Sequence, residues 1–249
     1  MTLLRDKEPE VSEPTFHAWV FSLPRCGSSM MTGAVEALGF EMVYTTEDPE
    51  AVAKRNADMA EKFGDYVPNE KFYEIGPYNQ FTSLVKATST PRGGCKMIIP
   101  IPRRDMRFSA VISVPSKVIM MARDPAEIRQ SQEAFYKKAR ANYGDPLASQ
   151  LPPARVAEQH IAQMLARQEA ILQEQRKASN DARFTPGLVT QPFDYMKVQY
   201  RDILEEPQRW MEKIGAFLCV TDEARIKAAV ATIDPDKCRF KSEQLEEGI

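Results

Sequence analysis

Short apolar runs alternate along the chain with longer amphipathic segments. The apolar runs end at polar or turn-forming residues, which predicts buried strands at 16–23, 95–101, 117–122 and 196–200. The longer segments predict helices at 30–38, 47–63, 154–178, 207–218 and 222–230, and one more that begins near Pro125. Because strands alternate with helices, we expect an α/β fold with a mostly parallel central sheet flanked by helices.

The length of 249 residues suits one α/β domain. Residues 1–14 are polar and acidic, so we expect a flexible N-terminal arm and a single domain at 15–249. No apolar run approaches the roughly 20 residues that span a bilayer, and the first residues are unlike a signal peptide. A cytoplasmic protein without membrane contact is therefore expected. Residues 64–80 predict a long loop, of the kind that is often functional.

The net charge and the numbers of cysteine and histidine residues argue against some classes of function. The formal net charge of −2 leaves the molecule without the basic footprint of a nucleic-acid-binding protein. Four cysteines lie far apart and there are only two histidines, so a zinc site of the usual kind is not expected. No other metal requirement is expected. Three of the cysteines are expected to be ordinary thiols. Cys26 differs because it lies in a loop that is a candidate functional site.

That loop joins the first predicted strand to the first predicted helix. A helix N-terminus offers unpaired backbone N–H groups and the positive end of the helix dipole, which together bind anions. Gly27 lets the backbone wrap closely around a ligand, and Arg25 adds a forked cation. In the pattern GxxxxGK[ST] of nucleotide-binding loops, Ser28 replaces the lysine that reaches the β- and γ-phosphates. We therefore expect one terminal phosphate rather than a magnesium-bound triphosphate; a turn that merely caps the helix is the alternative.

A second strand–turn–helix unit follows in KVIMMARDPAEIRQSQEAF. Arg123 comes directly after the strand, and Ser131 lies eight positions later, about two helical turns on. The pair could flank one phosphate, with the arginine as the forked donor. Alternatively, Arg123 pairs with Asp124 or another nearby acid and Ser131 is a surface hydroxyl.

These motifs resemble those of sulfotransferases that use 3′-phosphoadenosine 5′-phosphosulfate (PAPS), with spacing similar to a bacterial-type branch. WVFSLPRCGSSMM is similar to the family's 5′-phosphosulfate loop, with Cys26 in place of the usual serine. Arg123 and Ser131 match its 3′-phosphate site, and VQYRDILEEPQRWMEKIGAFLCV matches a later segment in which Cys219 replaces a glycine and in which Tyr200 pins a turn. The resemblance implies a P-loop-like sulfotransferase fold and a cofactor site made of Pro24, Arg25, Cys26, Gly27, Ser28, Ser29, Arg123, Ser131 and Tyr200.

The resemblance also implies the reaction, in which a sulfuryl group passes in line from PAPS to a hydroxyl or amine and leaves 3′-phosphoadenosine 5′-phosphate (PAP). Many relatives use a strand histidine as base in a Lys-Thr-His-Leu-Pro context, but Ile98 stands at that position here. The expected catalytic residues are therefore Arg25 and Lys96 as cations and a carboxylate base, with Glu74 the first candidate and Glu47 and Asp48 the second.

Four questions stay open from the sequence. The acceptor is expected to be a small molecule or glycan, and the oligomeric state is undetermined. Cys26 could have a lowered pKa at its helix end, although a catalytic thiol is the weaker hypothesis because no histidine partner is evident. The alternatives to a sulfotransferase are a non-catalytic PAPS or PAP binder, a P-loop kinase-like enzyme, and a scaffold without a ligand.

Overall fold

The computed structural model describes residues 15–43, 57, 80–98, 102, 106–143, 154–182 and 191–234. Five strands form one sheet in the order β2-β3-β1-β4-β5, and every adjacent pair is parallel. The strands are β1 (His17–Ser22), β2 (Glu41–Met42), β3 (Gly93–Ile98), β4 (Ser116–Ala122) and β5 (Phe193–Gln199). The predicted fold class, a mostly parallel sheet flanked by helices, is confirmed.

Eight helices lie in the described part of the chain. They are α1 (Ser28–Ala37), α2 (Gln80–Ser89), α3 (Met106–Ile112), α4 (Pro125–Tyr143), α5 (Ala154–Ala182), α6 (Tyr200–Glu205), α7 (Pro207–Phe217) and α8 (Glu223–Ala231). The four predicted strands and five of the six predicted helices are present, with shifted ends. The sequence did not predict β2, α2, α3 or α6. The predicted arm, the body of the predicted 47–63 helix and all but the last residue of the 64–80 loop lie outside the described residues.

Both faces of the sheet are buried. Successive β1 side chains point to opposite faces, so they contribute to two different core clusters. Ala18 and Val20 belong to a core cluster with α1, α7 and α8, whereas Trp19 and Phe21 belong to a second cluster with α3 and α5. All four side chains are fully buried. Helices therefore cover both faces, as a parallel sheet requires. Among the described residues, no helix combines the length and apolar character needed to cross a membrane.

The strand order places two loops side by side at the carboxyl edge of the sheet. From β1, the chain builds β2 and β3 on one side and then β4 and β5 on the other. Ser22, the last residue of β1, is in register with Ile98 of β3 and with Met121 of β4. Open parallel sheets bind ligands outside such a switch point. The loops after β1 and after β4 are therefore the first place to look for a site.

Candidate functional site

The loop after β1 is held in an unusual backbone conformation. Arg25 has φ 73° and Gly27 has φ 78°, so two residues of this short loop are left-handed. α1 begins at Ser28, and its N-cap residue Gly27 has no side chain with which to cap the first N–H groups. Its first turn contains no acidic residue. These N–H groups and the helix dipole are thus arranged to receive an anion.

The Tyr200 ring packs against this loop at Gly27. A Cβ atom on Gly27 would lie 2.3 Å from Cδ2 of the Tyr200 ring, so no larger residue fits there. Tyr200 is 7% exposed, and the Arg123 guanidinium carbon lies 4.6 Å from its ring centroid. One aromatic ring therefore packs against both predicted phosphate elements. The predicted contact of Tyr200 with a cofactor remains a prediction.

Direct hydrogen bonds join the two elements. Arg25 Nε donates to Ser131 Oγ at 2.9 Å, and Arg123 Nη1 donates to the Arg25 carbonyl at 3.2 Å. Ser131 is only 3% exposed, so the alternative of a surface hydroxyl is wrong. The structure thus brings Arg25 into one cluster with Arg123 and Ser131, from which it is separated by 98 and 106 positions of sequence.

Arg123 also has an acidic partner, as the alternative interpretation of the sequence proposed. Its Nε donates to Glu127 Oε2 at 2.8 Å, and both side chains are buried. The Asp124 carboxylate accepts the backbone N–H groups of Ala126 and Glu127 and caps α4. Sequence reasoning did not single out Glu127. The i, i+4 spacing of Arg123 and Glu127 is the signal that could have identified it.

Lys96 brings a further cation to the loop. β3 lies between β2 and β1 rather than at the sheet edge, and Lys96 is 3% exposed. Its Nζ donates to Ser29 Oγ in the first turn of α1 at 3.1 Å. A lysine is absent from position 28 of the loop, but one reaches the same helix end from the neighbouring strand.

The burial of the Cys26 thiol contradicts one expectation from the sequence. The thiol is completely buried, and burial raises its pKa to about 12, although a backbone hydrogen bond from Leu23 and the charge of Arg123 both act to lower it. The lowered pKa that the sequence allowed for Cys26 is wrong, because desolvation of the thiolate outweighs both of these lowering effects. Ser22 Oγ is also buried at the loop, and no described residue is its hydrogen-bond partner.

The remaining predicted residues fall into two groups. Pro24 lies exposed at the loop, and Ser28 is buried with its carbonyl accepting from Thr32 Oγ1 at 2.7 Å. The candidate bases Glu47, Asp48 and Glu74 lie outside the described residues.

The histidines lie apart from this cluster. His17 Nε2 is 3.0 Å from the Thr88 carbonyl at the opposite end of β1, where burial lowers its pKa, and His160 is exposed on α5. In the described ranges, no group of three or more His, Cys, Asp or Glu side chains could hold a metal ion.

Comparisons with known proteins gave matches only among solved structures. No family model and no curated protein matches the chain. The sulfotransferase domain of the Synechococcus PCC 7002 olefin synthase is 16% identical, with 94% of this chain and 86% of that chain covered and a TM-score of 0.42. A mouse sulfotransferase complexed with PAP is 12% identical, with 92% and 68% covered and a TM-score of 0.42. A retinol dehydratase in a complex with retinol and PAP is 16% identical, with 95% and 72% covered and a TM-score of 0.43.

Proposed function

We propose that this chain is a PAPS-dependent sulfotransferase that transfers a sulfuryl group to a hydroxyl or amine. The observation that supports the proposal most strongly is the hydrogen bond from Arg25 to Ser131. It joins a helix-N-terminal anion site to a second basic element, so the cluster suits a ligand with two separate phosphate groups. An adenosine 3′,5′-bisphosphate has that arrangement, whereas a nucleoside triphosphate carries its phosphates in one chain.

The residues present fit such a ligand. The N–H groups at the start of α1 are uncapped by Gly27, and the buried Ser22 hydroxyl has no described partner, so donors exist where a phosphate would lie. In this proposal, residues 24–29 hold the 5′ end of the donor, and Arg123 with Ser131 holds the 3′-phosphate. The bound donor supplies an activated sulfuryl group. The protein binds and orients it and stabilises charge on the leaving phosphate.

Arg25 and Lys96 are the residues that we assign to this charge stabilisation. Arg25 lies in the loop itself, and Lys96 reaches Ser29 at its helical end. The acceptor's proton needs a base, and Ile98 cannot serve at the position where many relatives have histidine. We propose Glu74 as that base, with Glu47 and Asp48 as second candidates. The proposed acceptor is a small molecule or glycan.

A sulfuryl-transfer assay tests the proposal. Labelled PAPS is incubated with the protein and a panel of phenols, sterols, sugars and amines, and PAP release that depends on an acceptor is measured. Lys96→Met is expected to lower turnover about a hundredfold, with Lys86→Met on the exposed face of α2 as its matched control. Glu74→Gln is expected to lower turnover by a similar factor with little change in PAP affinity. Activity that is unaffected by Lys96→Met would contradict the role of that lysine.

One observation favours a second candidate, a protein that binds PAPS or PAP without catalysis. Ile98 stands in register with Ser22, at the strand end where the family base would be, and it cannot titrate. This alternative predicts PAP binding that survives Glu74→Gln, with no turnover on any acceptor in either protein. Acceptor-dependent PAP release by the native chain would exclude it.

A further inference from the structure

A buried carboxylate binds two arginines beside the loop. Glu127 Oε2 accepts from Arg123 Nε at 2.8 Å, and Glu127 Oε1 accepts from Arg201 Nη2 at 2.8 Å. The Glu127 side chain is 3% exposed, that of Arg123 is 7% exposed, and that of Arg201 is 40% exposed. The two guanidinium groups are therefore held by opposite oxygens of one carboxylate, with Arg201 on the outer side.

The trio contains two cations and one shared anion. Two permanently charged guanidinium groups share one carboxylate, so the trio keeps a net positive charge. A guanidinium has five N–H donors in a planar fork, which can serve a carboxylate and a phosphate together. The carboxylate of Glu127 thus holds the two guanidinium groups close together.

The position of Arg201 in the fold points to the same site. It follows Tyr200, whose ring packs against Gly27 and Arg123, and it lies in the first turn of α6. Its partner Glu127 lies on α4 one helical turn before Ser131, which binds Arg25. Arg201 therefore borders the cluster from the end of β5, whereas the loop borders it from the end of β1.

We propose that Arg201 is a second guanidinium for the 3′-phosphate and that Glu127 is the positioning residue that holds Arg201 beside Arg123. This inference rests on the proposed function, because it assigns Arg201 to one phosphate of the same ligand. It predicts that Arg201 distinguishes PAP from adenosine 5′-phosphate, which lacks the 3′ group.

Calorimetric titration of the full chain with PAP and with adenosine 5′-phosphate tests the assignment. Arg201→Met keeps an unbranched stem and removes the charge at a partly exposed position. PAP affinity is expected to fall about tenfold, with affinity for adenosine 5′-phosphate changed less than about twofold, because a charge-assisted hydrogen bond is lost only with PAP. Arg209→Met is the matched control, since Arg209 also forms an exposed ion pair, with Glu206 at 2.6 Å, on the next helix.

Glu127→Gln tests the positioning role. It is expected to lower PAP affinity at least as much as Arg201→Met does. The double variant is expected to lose no more PAP affinity than Glu127→Gln alone, because Arg201 contributes only when Glu127 positions it. If Glu127→Gln does not fold, Arg201→Met decides the question alone.

Two results overturn the inference and leave the proposed function standing. One is an unchanged PAP affinity in Arg201→Met, and the other is an equal fall in the affinities for PAP and for adenosine 5′-phosphate. A native chain that does not prefer PAP over adenosine 5′-phosphate overturns the proposed function itself.

Discussion

The Arg25 side chain donates from Nε to the Ser131 hydroxyl at 2.9 Å, across 106 positions of sequence. Arg123 holds the Arg25 carbonyl at the same time, so both the backbone and the side chain of this left-handed residue are fixed by the β4–α4 unit. A non-glycine residue with positive φ persists only where its surroundings determine it. The conformation of the loop after β1 therefore depends on the β4–α4 unit.

Ser131→Ala is expected to weaken PAP binding about tenfold, because it removes both a proposed phosphate contact and the partner that fixes Arg25. Calorimetric titration measures the change. Ser113→Ala is the control, because the Ser113 hydroxyl only donates to the Ala110 carbonyl at an exposed helix end. Equal PAP affinity in the native chain and Ser131→Ala would show that the hydroxyl has no part in the site.

Gly27→Ala is expected to destabilise the fold by about 1–3 kcal/mol and to abolish PAP binding. The added Cβ is strained at φ 78° and would lie 2.3 Å from the Tyr200 ring. Gly39→Ala is the control: it meets similar strain at φ 93°, but the nearest atom is the flexible tip of Arg225, remote from the loop. Thermal unfolding should show a lower Tm for both variants. Calorimetric titration should show a loss of PAP binding only for Gly27→Ala. Retained binding in Gly27→Ala would contradict the proposed approach of the loop to a phosphate.

Local patterns predicted much of this fold and of the loop. The apolar runs of β1 and β4 and the helices that follow them are encoded in neighbouring residues, and so is the glycine at 27 that the left-handed turn requires. β2 has only two residues, which is too short for a periodic pattern. The positive φ of Arg25 was not predictable, because nothing about arginine itself favours that conformation.

Contacts between distant residues account for the rest. Lys96 reaches Ser29 only because β3 pairs with β1, and strand order is not written in any local pattern. Arg201 meets Glu127 across 74 positions for the same reason. The pKa of Cys26 was predicted in the wrong direction because sequence shows its place before a helix but not its complete burial.

Cys219→Gly is expected to stabilise the protein by about 1 kcal/mol, or about 2–4 °C in Tm. Cys219 follows α7 with φ 55°, and its N–H and that of Val220 donate to Ala216 and Gly215, which is a Schellman end that glycine favours. Cys219→Ala is the control, since it also removes the contact of Lys117 with Sγ but keeps the strained Cβ. A Tm for Cys219→Gly no higher than for Cys219→Ala would contradict this reading of the strain.

The raised pKa of Cys26 predicts a specific loss of stability in alkali. The folded chain keeps the thiol protonated up to about pH 12, whereas the unfolded chain ionises it near its ordinary value of 9.0. The contribution to stability is therefore complete below pH 9 and is lost as the pH rises towards 12. Denaturant unfolding between pH 8 and 10.5 should show a steeper decline for the native chain than for Cys26→Ser.

Thiol labelling provides the second readout. At pH 8, iodoacetamide should modify the exposed Cys219 and leave the buried Cys26 unreacted, as peptide mass spectrometry would show. Parallel stability curves, or labelling of Cys26 as fast as Cys219, would contradict a protonated and buried Cys26.

Calorimetric titration of the native chain with PAP, beside ATP with magnesium, tests the central claim that two phosphate elements form one bisphosphate site. We predict PAP binding that Arg123→Lys weakens at least tenfold, because lysine cannot reproduce the guanidinium fork, together with weak binding of ATP and magnesium. Tight binding of ATP and magnesium with no response to PAP would contradict the claim and favour a kinase-like nucleotide enzyme.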